Sequence, residues 1–237
     1  MIEPLAGRAV APDADERRLY RWGGLSALLL GLGYLLTIPL YVAVGAPPHG
    51  GEARLGYLVG KTTVWWAILG LSVFTDLLFL PVALALYRAL RSVNKNAMVF
   101  ATTLVGLFVV LDLAVTWTNY AALITLSEGY GTATALQRAA DVGAATYAAA
   151  VLDSSLEAIY SILILSIGIL VTSLVMRRGV FGRGTAYVGV VTGVGGIVAV
   201  VGPYFASVLS VMLVIVAALT TLWIVLVGVR LLRLSRR

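Results

Sequence analysis

TVWWAILGLSVFTDLLFLPVALALY, residues 63–87, is the stretch that decides the fold. It carries one charged residue, Asp76, in 25 positions and shows no alternation of polar and apolar side chains. A helix needs about 20 predominantly apolar residues to cross the hydrocarbon of a bilayer. Lipid offers the backbone no hydrogen-bond partner, so a segment of this kind crosses as a helix. A membrane β-barrel would need repeated polar–apolar alternation, which is also missing from the run Val211 to Leu219.

Five further stretches of the same kind lie on either side. The sequence predicts spans at about 22–44, 63–87, 97–124, 151–175, 185–201 and 207–229. The fold class expected is all-α: a polytopic bundle of six transmembrane helices. It divides into a polar tail, 1–21, and a transmembrane domain, 22–237. Composition agrees, with 60% of the 237 residues hydrophobic and 12% charged, against about 25% charged in soluble domains. Ala43-Val44-Gly45 resembles a signal-peptidase site, but the apolar run before it exceeds the roughly 7–15 residues of a cleaved signal, so a retained helix is expected.

The connections are short. Residues 45–61 read as a loop with Pro47-Pro48, Gly50-Gly51 and the single histidine, His49. Residues 127–147 are Ala-rich and moderately polar, and suggest a helix at the membrane surface or leading into the fourth span. Gly202-Pro203 reads as a tight turn. The aromatic residues Trp22, Trp65, Trp66 and Tyr204 read as interfacial anchors. Pro39 and Pro81 lie inside predicted helices, where proline frees a carbonyl.

Orientation follows from lysine and arginine beside the spans. Fourteen of the 17 flank one side: the tail, residues 88–95, residues 177–183 and the C-terminus. Only Arg54, Lys61 and Arg138 flank the other. The expectation is a plasma (inner) membrane protein with both termini cytoplasmic. Nucleic acid is not an expected partner, because the basic residues sit at helix ends instead of on one soluble face. Membrane lipids are, and the arginines of the 177–183 turn are placed to meet anionic headgroups.

Absence of cysteine excludes disulfides, thiol catalysis and thiolate ligation. One histidine excludes a multi-histidine metal site within the chain. No cofactor fingerprint, Asp-x-x-Asp pair or nucleophile–base set is present, which weighs against an enzyme and leaves no catalytic or metal-binding residue to name.

The informative residues are acids placed in oil. Asp76 and Asp112 fall well inside the second and third spans, and Asp153 and Glu157 near the outer end of the fourth. No lysine or arginine lies in a span interior to pair with them. A carboxylate at a helix centre costs about 2.5–3.5 kcal/mol on insertion scales, so protonation, water, a cation or hydrogen-bond donors must compensate. Helical spacing places Ser72 with Asp76; Thr116, Asn119 and Tyr120 with Asp112; and Tyr160 and Ser161 with Asp153 and Glu157. If these faces converge, spans two to four enclose a polar pocket open to the outside. The expected set is Asp76, Asp112, Thr116, Asn119, Tyr120, Asp153, Glu157 and Tyr160, binding or moving a small solute, a cation or a proton. Two other readings stand beside it: a non-catalytic subunit, sensor or assembly partner, and a lipid-modifying enzyme. Asp76 and Asp112 can also be protonated packing contacts, and Asp153 a mark of the water boundary. Gly189 and Gly193 form a Gly-x-x-x-Gly pair suited to close helix packing. Six short-looped helices can stand alone, form half of a homodimer or sit in a larger membrane complex.

The segment DLLFLPVALALYRALRSVN, residues 76–94, resembles a bacterial integral membrane family known as the domain of unknown function 4386 family. There an intramembrane acid precedes an apolar run ending in a Leu-Tyr-Arg turn and a Val-Asn pair. Residues 17–36 and the turn RGVFGRG, residues 178–184, with the Gly-rich span after it, are similar too. The resemblance covers roughly 20–222 and implies a membrane helix bundle without a known activity. Asp112 and the Asp153/Glu157 pair depart from the family pattern.

Overall fold

The computed structural model describes residues 13–206 and 212–236. Eight helices organise them. We number them α1 (Ala14–Val44), α2 (Gly51–Leu58), α3 (Thr62–Leu90), α4 (Lys95–Tyr130), α5 (Ala135–Leu152), α6 (Ser155–Met176), α7 (Arg183–Val201) and α8 (Met212–Leu234). Six of them are long and apolar enough to cross a membrane: α1, α3, α4, α6, α7 and α8. There is no strand among the described residues. The chain is therefore a multi-pass membrane protein by helix length and composition.

The spans close into a ring in chain order. α1 packs on α3, α3 on α4, α4 on α6, α6 on α7, α7 on α8, and α8 returns to α1. Short links explain the order, since they force consecutive helices to lie antiparallel as neighbours. Small residues let the backbones approach. A Cβ on Gly23 would meet the Ala85 Cβ at 2.3 Å, and one on Gly33 the Thr75 Cγ2 at 2.4 Å. On the opposite side, a Cβ on Gly193 would fall 2.6 Å from the Leu170 Cβ and 2.8 Å from its Cα. Cβ atoms on Gly189 and Gly196 would strike the hydroxyls of Ser173 and Ser166. Tight small-residue contact suits a medium in which lipid tails are as apolar as leucine. Leu32, Leu36, Phe74, Leu84, Phe100 and Val110 face outward.

Two apolar clusters fill the interior. The larger joins Leu30, Phe79, Phe108, Ile169, Trp223 and Ile224 through the body of the ring. The smaller joins Trp65, Ile68, Leu123 and Ile124 of the spans to Leu55 and Leu58 of α2 and Ala145 and Ala148 of α5. α2 and α5 thus form a cap over one end of the bundle. A Cβ on Gly51 would meet the Thr146 backbone N at 2.4 Å, so α2 begins directly against the α5 backbone. Tyr57 Oη donates to the carbonyls of Val44 (3.0 Å) and Gly45 (2.7 Å), and Lys61 Nζ to Val44 (3.1 Å). These bonds satisfy carbonyls that the end of α1 leaves free.

Several expectations are corrected here. Residues 45–61 are not all loop, because 51–58 fold as α2. The polar tail expected over 1–21 is already helical from Ala14, capped by Asp13, whose carboxylate accepts from Glu16 N at 2.7 Å; residues 1–12 lie outside the described residues. The third span continues past 124 to Tyr130. The fourth starts at Ser155 and not at 151: residues 151–152 end α5, and Ser154 caps the new helix. The fifth begins at Arg183, and Gly202-Pro203 continues it as one turn of 3-10 helix to Tyr204. The start expected for the sixth, 207, falls outside the described residues, and its end extends from 229 to Leu234. Pro39 and Pro81 lie inside continuous helices. Trp65 is fully buried and is no interfacial anchor, since the cap covers it; Trp22, Trp66 and Tyr204 remain exposed.

Candidate functional site

Between the two apolar clusters runs a polar layer. α1 contributes Tyr34, α3 Ser72, Thr75 and Asp76, α4 Asp112, Thr116 and Trp117, and α6 Glu157, Tyr160 and Ser161. Asp76 and Asp112 are 4% and 6% exposed, so neither carboxyl is hydrated in the usual way. They are close enough to interact directly. The Trp117 indole N–H donates to Asp76 Oδ2 at 2.7 Å. Asp112 Oδ1, Thr116 Oγ1 and Tyr160 Oη are buried and make no well-aligned hydrogen bond, although Thr116 lies within bonding reach of both Asp112 and Tyr160, and Asp76 and Trp117 within reach of the Asp112 carboxyl. A buried polar atom left unpaired costs about 1–3 kcal/mol, more when charged, so three without a well-aligned bond in one layer need an explanation.

Local backbone geometry makes the layer. Residues 112–117 of α4 and 159–163 of α6 are π-helical, and the two segments touch. A π turn bonds i to i+5 and inserts an extra residue into the helix; such bulges recur at functional sites. Here the wider turn keeps Asp112 and Thr116 buried and brings Trp117 round to Asp76. The carbonyls it displaces find local donors: Thr118 Oγ1 bonds to Leu113 O (3.0 Å) and Asn119 Nδ2 to Val115 O (2.8 Å).

Of the residues expected together, Asp76, Asp112, Thr116 and Tyr160 meet in this layer. Glu157 lies at its edge within electrostatic reach of Asp112 and accepts from Ser161 Oγ at 2.9 Å. Asn119 does not contribute its amide, which is engaged on Val115 O. Tyr120 turns toward the cap, where its ring stacks on Trp65 at 5.3 Å and 11°. Asp153 sits in a separate cluster at the surface of the cap. There it accepts from His49 Nδ1 (2.9 Å), Gly50 N (3.3 Å) and the Arg54 guanidinium. His49 is paired as well as exposed. At the end of the bundle where an opening to the outside is expected, α2 and α5 pack over the spans.

The sequence reading missed three participants. Trp117, next to Thr116, is a possible pocket residue on the sequence alone, but a lipid-facing or core place weighs more, which leaves it out of the expected set. Tyr34, within electrostatic reach of both carboxyls, gives no signal on an apolar helix. Arg54, expected as a loop residue, is 5% exposed. It reaches Asp153 across 99 residues and donates Nε to Pro48 O at 2.8 Å, while its Nη1 is buried without a partner. Its charge is within reach of Glu157 and Tyr120.

For Asp153, burial opposes ionisation, but the bonds from His49 and Gly50 and the Arg54 charge outweigh it and hold the carboxyl below its ordinary range. No group of three or more His, Cys, Asp or Glu side chains able to hold a metal occurs among the described residues. The layer offers instead two neighbouring carboxyls, one indole donor and the hydroxyls of Thr116 and Tyr160. That set can hold a proton between the acids, or ligate a small cation or a protonated amine. No family model, no curated protein and no solved structure matches this chain.

Proposed function

We propose that this protein binds and passes a proton or a small cation at the Asp76–Asp112 pair, in the bilayer, with Glu157 as the next carboxyl toward the capped end. The observation that carries the reading is the carboxyl pair itself: Asp112 is buried within hydrogen-bonding reach of a second buried carboxyl, Asp76, with no lysine or arginine among the described residues paired to either. Two acids in contact away from water cannot both hold charge uncompensated. A transported positive charge compensates them; Trp117 fixes one carboxyl while Asp112 stays available. Thr116 and Tyr160 supply hydroxyls that follow the charge as it arrives and leaves. We take the arginine-rich end as cytoplasmic, with both termini there, on the lysine and arginine bias. The protein is then a plasma-membrane transporter or channel-like protein opening toward the outside through the cap.

The test is flux through purified protein in liposomes carrying an internal pH-sensitive dye, with proton, sodium, potassium and ammonium gradients imposed in turn. The parent should dissipate at least one gradient. Asp76→Asn combined with Asp112→Asn should not, while eluting as the same species on size exclusion. If the double variant moves every one of these ions as the parent does, the reading fails, and a non-catalytic membrane subunit or sensor takes its place.

A further inference from the structure

At the uncapped end, α4, α6 and α7 leave a cleft of about 590 Å³. Arg177, Arg178 and Arg183 line one part of it, and Val171, Leu174 and Val175 another. Arg177 lies over the Tyr187 ring at 5.6 Å. None of the three arginines has an acid within salt-bridge distance among the described residues. Arg88 and Arg230 at this end are engaged, with Glu16 and Val180 O, while Arg91, Arg233 and Arg236 make no salt bridge among the described residues but line no part of this cleft. The N-termini of two helices also open beside the cleft. Asn94 caps α4, with its side chain accepting from Ala97 N at 3.1 Å, and both residues line the wall. Arg183 is the first residue of α7.

We infer that this cleft is a binding site for one anionic phospholipid, its phosphate held by Arg177, Arg178 and Arg183 and an acyl chain laid in the slot formed by Val171, Leu174 and Val175. Charge selects the headgroup. Three guanidiniums and two helix N-termini make a concave positive field, and arginine forks match phosphate oxygens. The apolar wall selects the rest of the molecule. A free phosphate would use the arginines and leave the slot empty, whereas a phospholipid fills both. Preference of helix C-termini for cations accounts for Arg177 and Arg178 at the end of α6, but not for a cleft between three helices with Arg183 across it. The site is independent of the acidic layer and stands or falls separately from it.

Native mass spectrometry of the full chain in detergent, titrated with phosphatidylglycerol or phosphatidylcholine of identical acyl chains, reads the site directly. The parent should retain phosphatidylglycerol at least about tenfold more tightly. Each arginine near a membrane surface contributes about a fivefold factor, so the combined R177Q, R178Q and R183Q variant should lose on the order of a hundredfold and the lipid preference with it. A control altering Arg233 and Arg236 to glutamine should change binding less than about threefold. Val171→Trp, which fills the slot and leaves every charge, should lose about tenfold; it also covers the case in which the triple variant does not fold. Inorganic phosphate in large excess should not displace the lipid. Equal loss in the Arg233/Arg236 control, equal binding of the two lipids, unaltered binding by Val171→Trp, or displacement by phosphate would each overturn the assignment.

Discussion

Asp153 and Asp112 carry the same carboxyl group into opposite surroundings. Asp153 lies at the rim of the cap, where an imidazole, a backbone N–H and a guanidinium converge on it. Asp112 lies inside the ring beside a second acid, with one oxygen that makes no well-aligned hydrogen bond. The first arrangement is closed: the carboxylate already has its cation in Arg54 and two further donors in His49 and Gly50 N, and the pair ties α2 to the α5–α6 corner. The second is open: on the proposed reading its compensating charge is a bound proton or cation, not a group of the chain. Acids that hold a fold together bring their cation with them, whereas acids that bind leave the place for it. The two clusters are joined through Arg54, whose guanidinium bonds Asp153 on one side and feels Glu157 on the other.

The comparison breaks most sharply if the roles can be exchanged. Asp112→Asn should reduce ion flux by about a hundredfold or more, because a neutral amide no longer draws a cation into the layer. It should leave the thermal midpoint unchanged or raised, since a costly buried charge is removed. Flux measured in liposomes beside a thermal melt of the same preparation checks both halves. A variant that melts early and still conducts would reverse the assignment of the two clusters.

Asp153→Asn should do the opposite. It strands Arg54, which is almost wholly buried, without its anion. Breaking a buried pair costs about 3–5 kcal/mol, and the partial exposure of Asp153 reduces this to about 1–3 kcal/mol. The loss should be confined to the cap: faster hydrogen exchange over 51–58 and 135–152, with the amides of α3 and α8 unchanged. Ion flux should persist.

Trp117→Phe sharpens the contrast at smaller amplitude. It retains an aromatic ring against Tyr120 (5.7 Å between centroids) and removes only the donor to Asp76. One hydrogen bond to a charged acceptor is worth about 1.5–3 kcal/mol, shared here with the neighbouring carboxyl, so flux should fall by roughly tenfold or less with a small change in ion preference. An unchanged flux profile would mean that the indole only packs.

What the sequence revealed and what it hid divide along the same line. Spans are legible because hydrocarbon thickness imposes length and apolarity on each helix independently of its neighbours. Asp76 and Asp112 stand out because charge is rare in such segments. The cap was illegible as a unit, since α2 is only eight residues long and its apolar face makes sense only against Trp65 and Ala145. Arg54 read as one of three cations on the sparse side because nothing local announces a partner 99 residues away. Trp117 was missed for a different reason. Its approach to Asp76 follows from a π turn at 112–117 that ordinary helical periodicity does not contain, whereas that periodicity puts Asn119 beside Asp112.

Acid provides the gentlest way to separate the clusters. The ligands of Asp153 hold its carboxyl below the ordinary range. A group whose folded value is depressed contributes stability that is present above its unfolded value, about 3.9, and is lost as pH falls through the folded one. The groups facing it are His49, Gly50 N and Arg54, and the Arg54 guanidinium keeps its charge at every accessible pH. Below about pH 4 the parent's cap should therefore loosen, seen as faster exchange of the 51–58 amides once the intrinsic pH dependence of exchange is divided out. Asp153→Asn should show the loosened cap already at neutral pH and no further change on acidification. Because the Asp153 carboxyl remains in touch with water, screening keeps the effect small. Its diagnostic value lies in location: an acid response seen equally across α3 and α4 would place the titrating group in the bundle and not at the cap.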